Sequence, residues 1–248
     1  MLNVLLLRLD APLMSFGGVV VDNRGVILDF PALSMMTGLI GNALGYDHRH
    51  ANHLSVLQTR LRYAVRCDRA GQRMTDYQTV DLGQEHLVDT GWTTRGAREK
   101  RGKGAATSGT SIRYREYWAD AVYTAAVTLF PAEESPDLGT IAHALQEPER
   151  PLFLGRKTCL PAAPLFLALT PASSLRSALE AVPRIVPERR RDEASAPLTA
   201  WLPENEDACS DWRDIPVTDE RDWENQIVVG RRLIRQTRVN PPEASNER

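Results

Sequence analysis

The chain has 248 residues, a formal net charge of −2 and an isoelectric point near 6.2, so no global basic field draws in a nucleic acid, and any positive charge used to bind one must be concentrated locally. Hydrophobic residues make up 42% and charged residues 25%, enough for a sizeable core, and no run approaches the roughly 20 apolar residues of a membrane span. Cys67, Cys159 and Cys209 form no CxxC pair, which argues against a disulfide framework or a zinc site and points to a cytoplasmic protein.

Leu2 to Leu9 is nearly continuous apolar sequence ended by Asp10-Ala11-Pro12, the pattern of a buried first strand. Arg8 and the lack of a small-residue cleavage site exclude a signal peptide there. A glycine-containing stretch follows around Gly17-Gly18 and Asn23-Arg24-Gly25. Pro31 and Ser34 announce a helix to about Gly45. Gly38 and Gly41 clear one face of it at a cost of roughly 1 kcal/mol each, so something must approach that face closely. A second helix is predicted over His53 to Arg60, and strands over Leu61 to Cys67 (alternating apolar and polar) and Asp76 to Val80. An apolar strand from Asp120 to Leu129, an amphipathic helix from Leu138 to Gln146 and a strand from Leu165 to Leu169 complete the pattern. The order approximates the βαββαβ plan of an α+β, ferredoxin-like domain, which RNA-recognition modules share.

Between Gly83 and Arg113 the texture changes. Gly91, Gly96, Gly102, Gly104 and Gly109 punctuate it, and from Arg95 to Lys103 the cations Arg95, Arg98, Lys100, Arg101 and Lys103 face one acid, Glu99. So long an insertion is commonly functional or disordered. Most charge runs are solvated surface, but length, charge and glycine coincide here, as in an arm that follows phosphates. The C-terminal third holds the opposite charge, with Glu204, Glu206, Asp207, Asp211, Asp214, Asp219, Glu220, Asp222 and Glu224 outnumbering Arg213 and Arg221.

Leu154-Gly155-Arg156-Lys157-Thr158 is too short for a phosphate-binding P-loop, and a turn with exposed cations is its simplest reading. The helix start at Pro31 to Ser34 offers free N–H groups to an anion, as every helix start does. His48, His50 and His53 have only Asp47 nearby and read as surface, so no metal is expected. Tyr77, Tyr114, Tyr117, His86 and Lys157 supply acid–base groups, but no spacing unites them into a catalytic set.

Taken together, the blocks resemble a known family. Leu7-Arg8-Leu9 with Ala11-Pro12-Leu13, Phe30-Pro31 with Ser34, Gly38, Gly41 and Leu44-Gly45, and Ala64-Val65-Arg66-Cys67-Asp68 come first. Asp76-Tyr77 with Thr79-Val80, Arg115-Glu116-Tyr117 with Asp120-Ala121, and Leu154-Gly155-Arg156-Lys157 with Cys159 and Pro164-Leu165 follow in order. The chain is similar to the CasD family, the RAMP-type subunits that cap the 5′ end of CRISPR RNA in type I-E Cascade. The resemblance weakens after about Ala172. The family commonly has a cation where Leu33 stands, and Gln and Trp where Met14 and Phe16 stand.

The resemblance implies a ferredoxin-like core (1–82 with 113–170), a basic β-hairpin thumb (83–112) and a smaller acidic C-terminal portion (171–248). It implies a non-catalytic, cofactor-free subunit that binds the RNA 5′ handle, contacts the backbone subunit CasC and large subunit CasA, and meets target DNA only through the complex. In type I-C systems the corresponding protein is a metal-independent endoribonuclease that processes repeat RNA, the alternative reading. The residues expected to face RNA are Arg24, Ser34, Tyr77, Arg95, Arg98, Lys100, Arg101, Lys103, Arg113, Arg115, Arg156 and Lys157, with Tyr77 or Tyr114 stacking on an unpaired base.

Overall fold

The computed structural model describes residues 1–18, 23–81, 90–92, 98–100, 110–186, 197–206 and 211–242. In chain order the first elements are β1 (Leu2–Asp10), β2 (Leu13–Met14), β3 (Arg24–Gly25), α1 (Leu33–Ala43), a 3-10 turn (His48–His50), α2 (Ala51–Arg60), β4 (Leu61–Arg69) and β5 (Gln72–Asp81). Then come β6 (Thr90–Trp92), β7 (Arg98–Lys100), β8 (Thr110–Ala119), β9 (Val122–Leu129), α3 (Leu138–Gln146), β10 (Phe166–Ala172) and α4 (Leu175–Ala181). The C-terminal third adds β11 (Leu198–Pro203), β12 (Trp212–Val217), β13 (Glu220–Asp222), β14 (Ile227–Val229) and β15 (Arg232–Val239).

The fold is mixed α+β on a seven-stranded sheet of order β10-β1-β9-β4-β11-β15-β12, antiparallel throughout. Both faces of its centre are covered. Leu5, Leu7, Leu9, Tyr123, Ala125 and Val127 face the layer of α1 and α3, while Val4, Leu6, Ala64 and Ala126 face α4. Double coverage explains why β1 and β9 are continuous apolar runs; every residue of β9 is buried. Each of the leucines and valines among them contributes about 1.5–3 kcal/mol on burial.

Beneath α4 the sheet carries charge. Arg66 is fully buried; its Nε donates to Asp68 Oδ1 (2.6 Å), and its Nη atoms donate to the carbonyls of Leu179, Val182 (2.7 Å) and Pro183 (3.0 Å). These carbonyls lie at and beyond the end of α4, where no backbone N–H continues the helix. Arg66 thus ties α4 to β4.

The C-terminal strands extend the same sheet beyond β4. Trp201 of β11 anchors them, stacking on Phe30 (5.4 Å) and packing against Tyr123 (6.3 Å).

A second sheet stands off the first. β5 pairs with β8 over ten residues, from Gln72↔Ala119 to Asp81↔Thr110, and β2 and β3 flank β8. The chain leaves the main sheet at Gly71 and re-enters at Asp120, both with positive φ (66° and 56°). The corners are so close that a Cβ on Gly71 would lie 2.4 Å from the Ala119 carbonyl oxygen. Asp120, expected within a strand, is therefore the corner, and β9 starts at Val122. The predicted insertion also closes sooner, because β8 begins at Thr110. β5 ends at Asp81 and β8 begins at Thr110, so the basic stretch lies between them in the chain, and β6 and β7 pair with each other.

Gly41 meets the expected close approach: a Cβ there would lie 2.4 Å from Leu54 Cδ2 of α2. The α1 N-terminus has a long-range partner. Its N-cap, Ala32, makes no side-chain cap, and Asp219, 186 residues away, accepts from Leu33 N (2.8 Å) through Oδ2 and from Ser34 N (3.0 Å) through its carbonyl. Arg232 donates to both Asp219 carboxylate oxygens (2.7 and 2.6 Å) and to Tyr63 Oη (2.8 Å), which donates to the Pro31 carbonyl (2.6 Å). Removing one partner of so buried a pair costs roughly 3–5 kcal/mol. Asp219→Ala is therefore expected to lower unfolding free energy by about that amount in denaturant titration, and an unchanged midpoint would contradict the role given to this cap.

Candidate nucleic-acid interface

A cleft of about 510 Å³ is lined by Ser15, Gly17, Gly18 and Val26, the exposed side of α1, the turn after Phe153, and the β13–β14 hairpin. The turn is shaped from within. Leu154 N donates to the Cys159 carbonyl (2.8 Å), Cys159 N to that of Arg156 (2.8 Å), and Ser15 N to that of Leu154 (3.0 Å). Gly155 sits at φ +106°, and a Cβ there would fall 1.9 Å from the Ser15 carbonyl oxygen. Only glycine fits both the dihedral and the space.

The two cations of this turn have different tasks. Arg156 is half-buried; it donates to the carbonyls of Glu116 (2.8 Å) and Gly25 (3.3 Å), and its guanidinium lies 4.7 Å from the Tyr117 ring centroid. It stitches β3 and β8 to the turn. Lys157 is exposed at the cleft. Ser34 lines the same cleft, but the expected anion site at the helix start is filled, since the N–H groups of Leu33 and Ser34 are bound by Asp219. A carboxylate from the C-terminal third already satisfies the terminus and its dipole. The cation missing at position 33 fits this arrangement, because Leu33 is buried there.

The ribbon carries the aromatic candidates. Tyr77 and Tyr114 pair across β5 and β8 with ring centroids 5.5 Å apart, and Tyr77 is 56% exposed. The Arg24 guanidinium lies 5.5 Å from the Tyr114 centroid. Arg24, Tyr114 and Tyr77 thus form a cation–ring–ring row. Arg113 and Arg115 are exposed, register-paired with Gln78 and Asp76, and belong to the opposite face by strand alternation. Arg98 and Lys100 lie on β7, while Arg95, Arg101 and Lys103 lie outside the described residues.

The histidines hold a connection together. His50 Nδ1 lies 3.0 Å from Asp47 Oδ1, and Tyr46, His50 and His53 form a ring cluster with centroids 5.3–5.8 Å apart. Among the described residues no group of His, Cys, Asp or Glu is placed to hold a metal ion, and no described helix is long and apolar enough to cross a membrane.

Sequence reasoning missed Arg221 and Trp223. Both line the cleft from the β13–β14 hairpin, in a stretch whose acidity disguised them. A tryptophan inside so charged a segment was the available signal. Trp223 Nε1 donates to Gln58 Oε1 (3.2 Å), and the indole approaches α1 at Gly38.

Comparison with known proteins adds four likenesses. A family model described as CRISPR-associated protein (Cas_Cas5) matches residues 4–235. The CRISPR system Cascade subunit CasD of Escherichia coli (strain K12) is 30% identical over 179 residues, which is 72% of this chain and 76% of that protein. A chain of a CRISPR RNA-guided surveillance complex superposes with a TM-score of 0.68 at 27% identity, over 96% of this chain and 91% of its own. A crystal structure of a Cas protein, with a TM-score of 0.62 at 23% identity over 97% and 98%, shares the fold.

Because the Gly155 turn depends on a missing side chain, Gly155→Ala is expected to cost at least about 1–3 kcal/mol from the dihedral alone. It should also displace Ser15 and alter the cleft, read as a reduced melting temperature with changed backbone shifts at residues 15–18. Wild-type stability and shifts would contradict the steric explanation.

Proposed function

The chain belongs to the Cas5 family of CRISPR-associated proteins, and from that premise we propose that it is a non-catalytic subunit of a type I-E Cascade surveillance complex, where it binds and caps the 5′ handle of CRISPR RNA. The observation that carries this reading is the distribution of charge. In a chain of net charge −2, the described cleft lining holds Arg156, Lys157 and Arg221 and no carboxylate. The ribbon beside it presents Arg24, Tyr114 and Tyr77 in a row. Local cations neutralise phosphates, and an exposed ring takes an unstacked base; such stacking is worth about 1–3 kcal/mol per base.

Within this reading the unit β10-β1-β9-β4 with α1 and α3 is ferredoxin-like, since β1, β4, β9 and β10 and the two helices follow one another in βαββαβ order. Residues 83–112 are a thumb that follows the RNA and lies against the backbone subunit CasC, and the large subunit CasA docks at the same end. Residues 171–248 complete the sheet and one wall of the cleft. Arg156 acts by holding the turn, and Lys157 by meeting phosphate. Target DNA is read by base pairing to the guide.

Two variants of the assembled complex separate the contributions. Replacing Arg95, Arg98, Lys100 and Arg101 together by alanine is expected to weaken RNA retention and flatten its salt dependence, by about 0.7 in the log–log slope for each phosphate no longer neutralised. Tyr77→Ala is expected to cost about 1–3 kcal/mol of RNA binding with the slope unchanged. An unaltered slope in the first variant removes the thumb from RNA binding. Metal-independent cleavage of repeat RNA by the purified chain would replace capping with processing.

A further inference from the structure

The two strands of the β13–β14 hairpin are placed very differently. β13 is closed on both sides. It pairs with β14 (Glu220↔Val229, Arg221↔Val228, Asp222↔Ile227). On its other side the Gln58 side chain of α2 takes the place of a strand, accepting from Arg221 N (3.2 Å) and donating to the Arg221 carbonyl (3.0 Å). β14 has no neighbour beyond β13 among the described residues. Its three residues, Ile227, Val228 and Val229, are 55, 39 and 36% exposed.

Arg221 spends its N–H and C=O on Gln58, away from β14, so Arg221 and Val228 face each other without exchanging hydrogen bonds. The N–H and C=O of Val228 therefore point outward, at the open edge. Such an edge is a template for another strand, and proteins ordinarily blunt it with charge or proline. The main sheet follows that rule: β10, at one edge, carries Pro171, and β12, at the other, carries Arg213, Asp214 and Pro216. β14 has neither device; it is made of β-branched apolar residues that favour strands.

The charges at its ends say which strand fits. Exposed Glu224 stands in the turn before β14, and exposed Arg231 follows it. Antiparallel pairing with a second β14 brings each Arg231 to the end where the other copy's Glu224 stands, whereas parallel pairing would set like charges together. Centred on Val228, the register also sets Ile227 against Val229.

We propose that β14 is a docking edge for a second copy of this chain, the two strands pairing antiparallel about a two-fold axis at Val228. Each Val228 exchanges its backbone hydrogen bonds with its counterpart, and the exposed aliphatic side chains of both strands leave water together. The same patch serves both copies, so the contact makes a closed dimer. It is small beside a standard interface, which makes the association weak and concentration-dependent. It is a property of the free chain and does not rest on the RNA-binding reading.

Sedimentation of the purified full chain from about 10 to about 500 µM is expected to move from monomer to dimer. Val228→Lys, at an exposed position, should hold it monomeric over that range with an unchanged melting temperature. Glu224→Lys should weaken the dimer about fivefold, and adding Arg231→Glu to the same chain should restore it, because the end pairs are rebuilt with their signs exchanged. Under mild oxidation Val228→Cys should link to itself, while Ile227→Cys links to Val229→Cys and neither links to itself; the ~5.5 Å Cα separation of a hydrogen-bonded pair is within disulfide reach. The unaltered chain, with its own cysteines, sets the baseline. A chain that stays monomeric throughout overturns the proposal, as does a dimer that ignores Val228→Lys and crosslinks alike at all three positions. A monomeric free chain whose β14 amides gain hydrogen-exchange protection only in an assembled complex also overturns it, and gives the edge to a strand of another protein.

Discussion

The structure depends on a helix that does not cap itself. Ala32 has no side chain to offer the first N–H groups of α1, and Asp219 supplies the acceptors from the far end of the chain. Unmade hydrogen bonds at a buried helix end are expensive, so α1 and the C-terminal third settle together. Arg232 and Tyr63 extend the bond chain back to Pro31, which makes the start of α1 the meeting point of β4, β15 and the segment before β13. Burial pushes the Tyr63 phenol well above its ordinary range, so it stays a neutral donor to the Pro31 carbonyl.

This cap has a consequence for the site. Arg221 and Trp223 follow Asp219 closely, so the residue that closes the helix also sets the β13–β14 hairpin against the exposed side of α1. On the other side of the cleft, Gly155 lets the turn press against Ser15, and Arg156 fastens it to β3 and β8. The cations that remain open to a ligand are held by a scaffold in which other charged groups have already been satisfied internally. Arg156, Arg66 and Arg232 are spent on the fold; Lys157 and Arg221 face the cleft. The ribbon is placed by the paired corners at Gly71 and Asp120, and it brings the tyrosine row beside β3.

Much of the core was legible because its signals are local. The apolar run of β1 follows from burial on both faces of the sheet, and the amphipathic spacing of α3 from burial on one. β8 was harder: its ribbon is partly exposed on both faces, so Tyr114, Arg115 and Glu116 show no clean alternation and read as charge texture. The strands after β10 carry Arg232, Arg235 and Thr237 among their aliphatics, which hid their membership of the main sheet. In Gly155-Arg156-Lys157 the turn was visible, but which cation is consumed by neighbouring carbonyls depends on β3 and β8. No local pattern could announce a cap whose partner lies 186 residues away.

Whether this chain caps the 5′ handle of a guide RNA is decided by recovering it from its host under gentle conditions, sequencing its RNA and identifying its companions. The expected outcome is a set of short RNAs that share one repeat-derived 5′ end, accompanied by several copies of a backbone subunit. A protein recovered alone and free of RNA would contradict that role, and the cation-lined cleft would then need a different ligand.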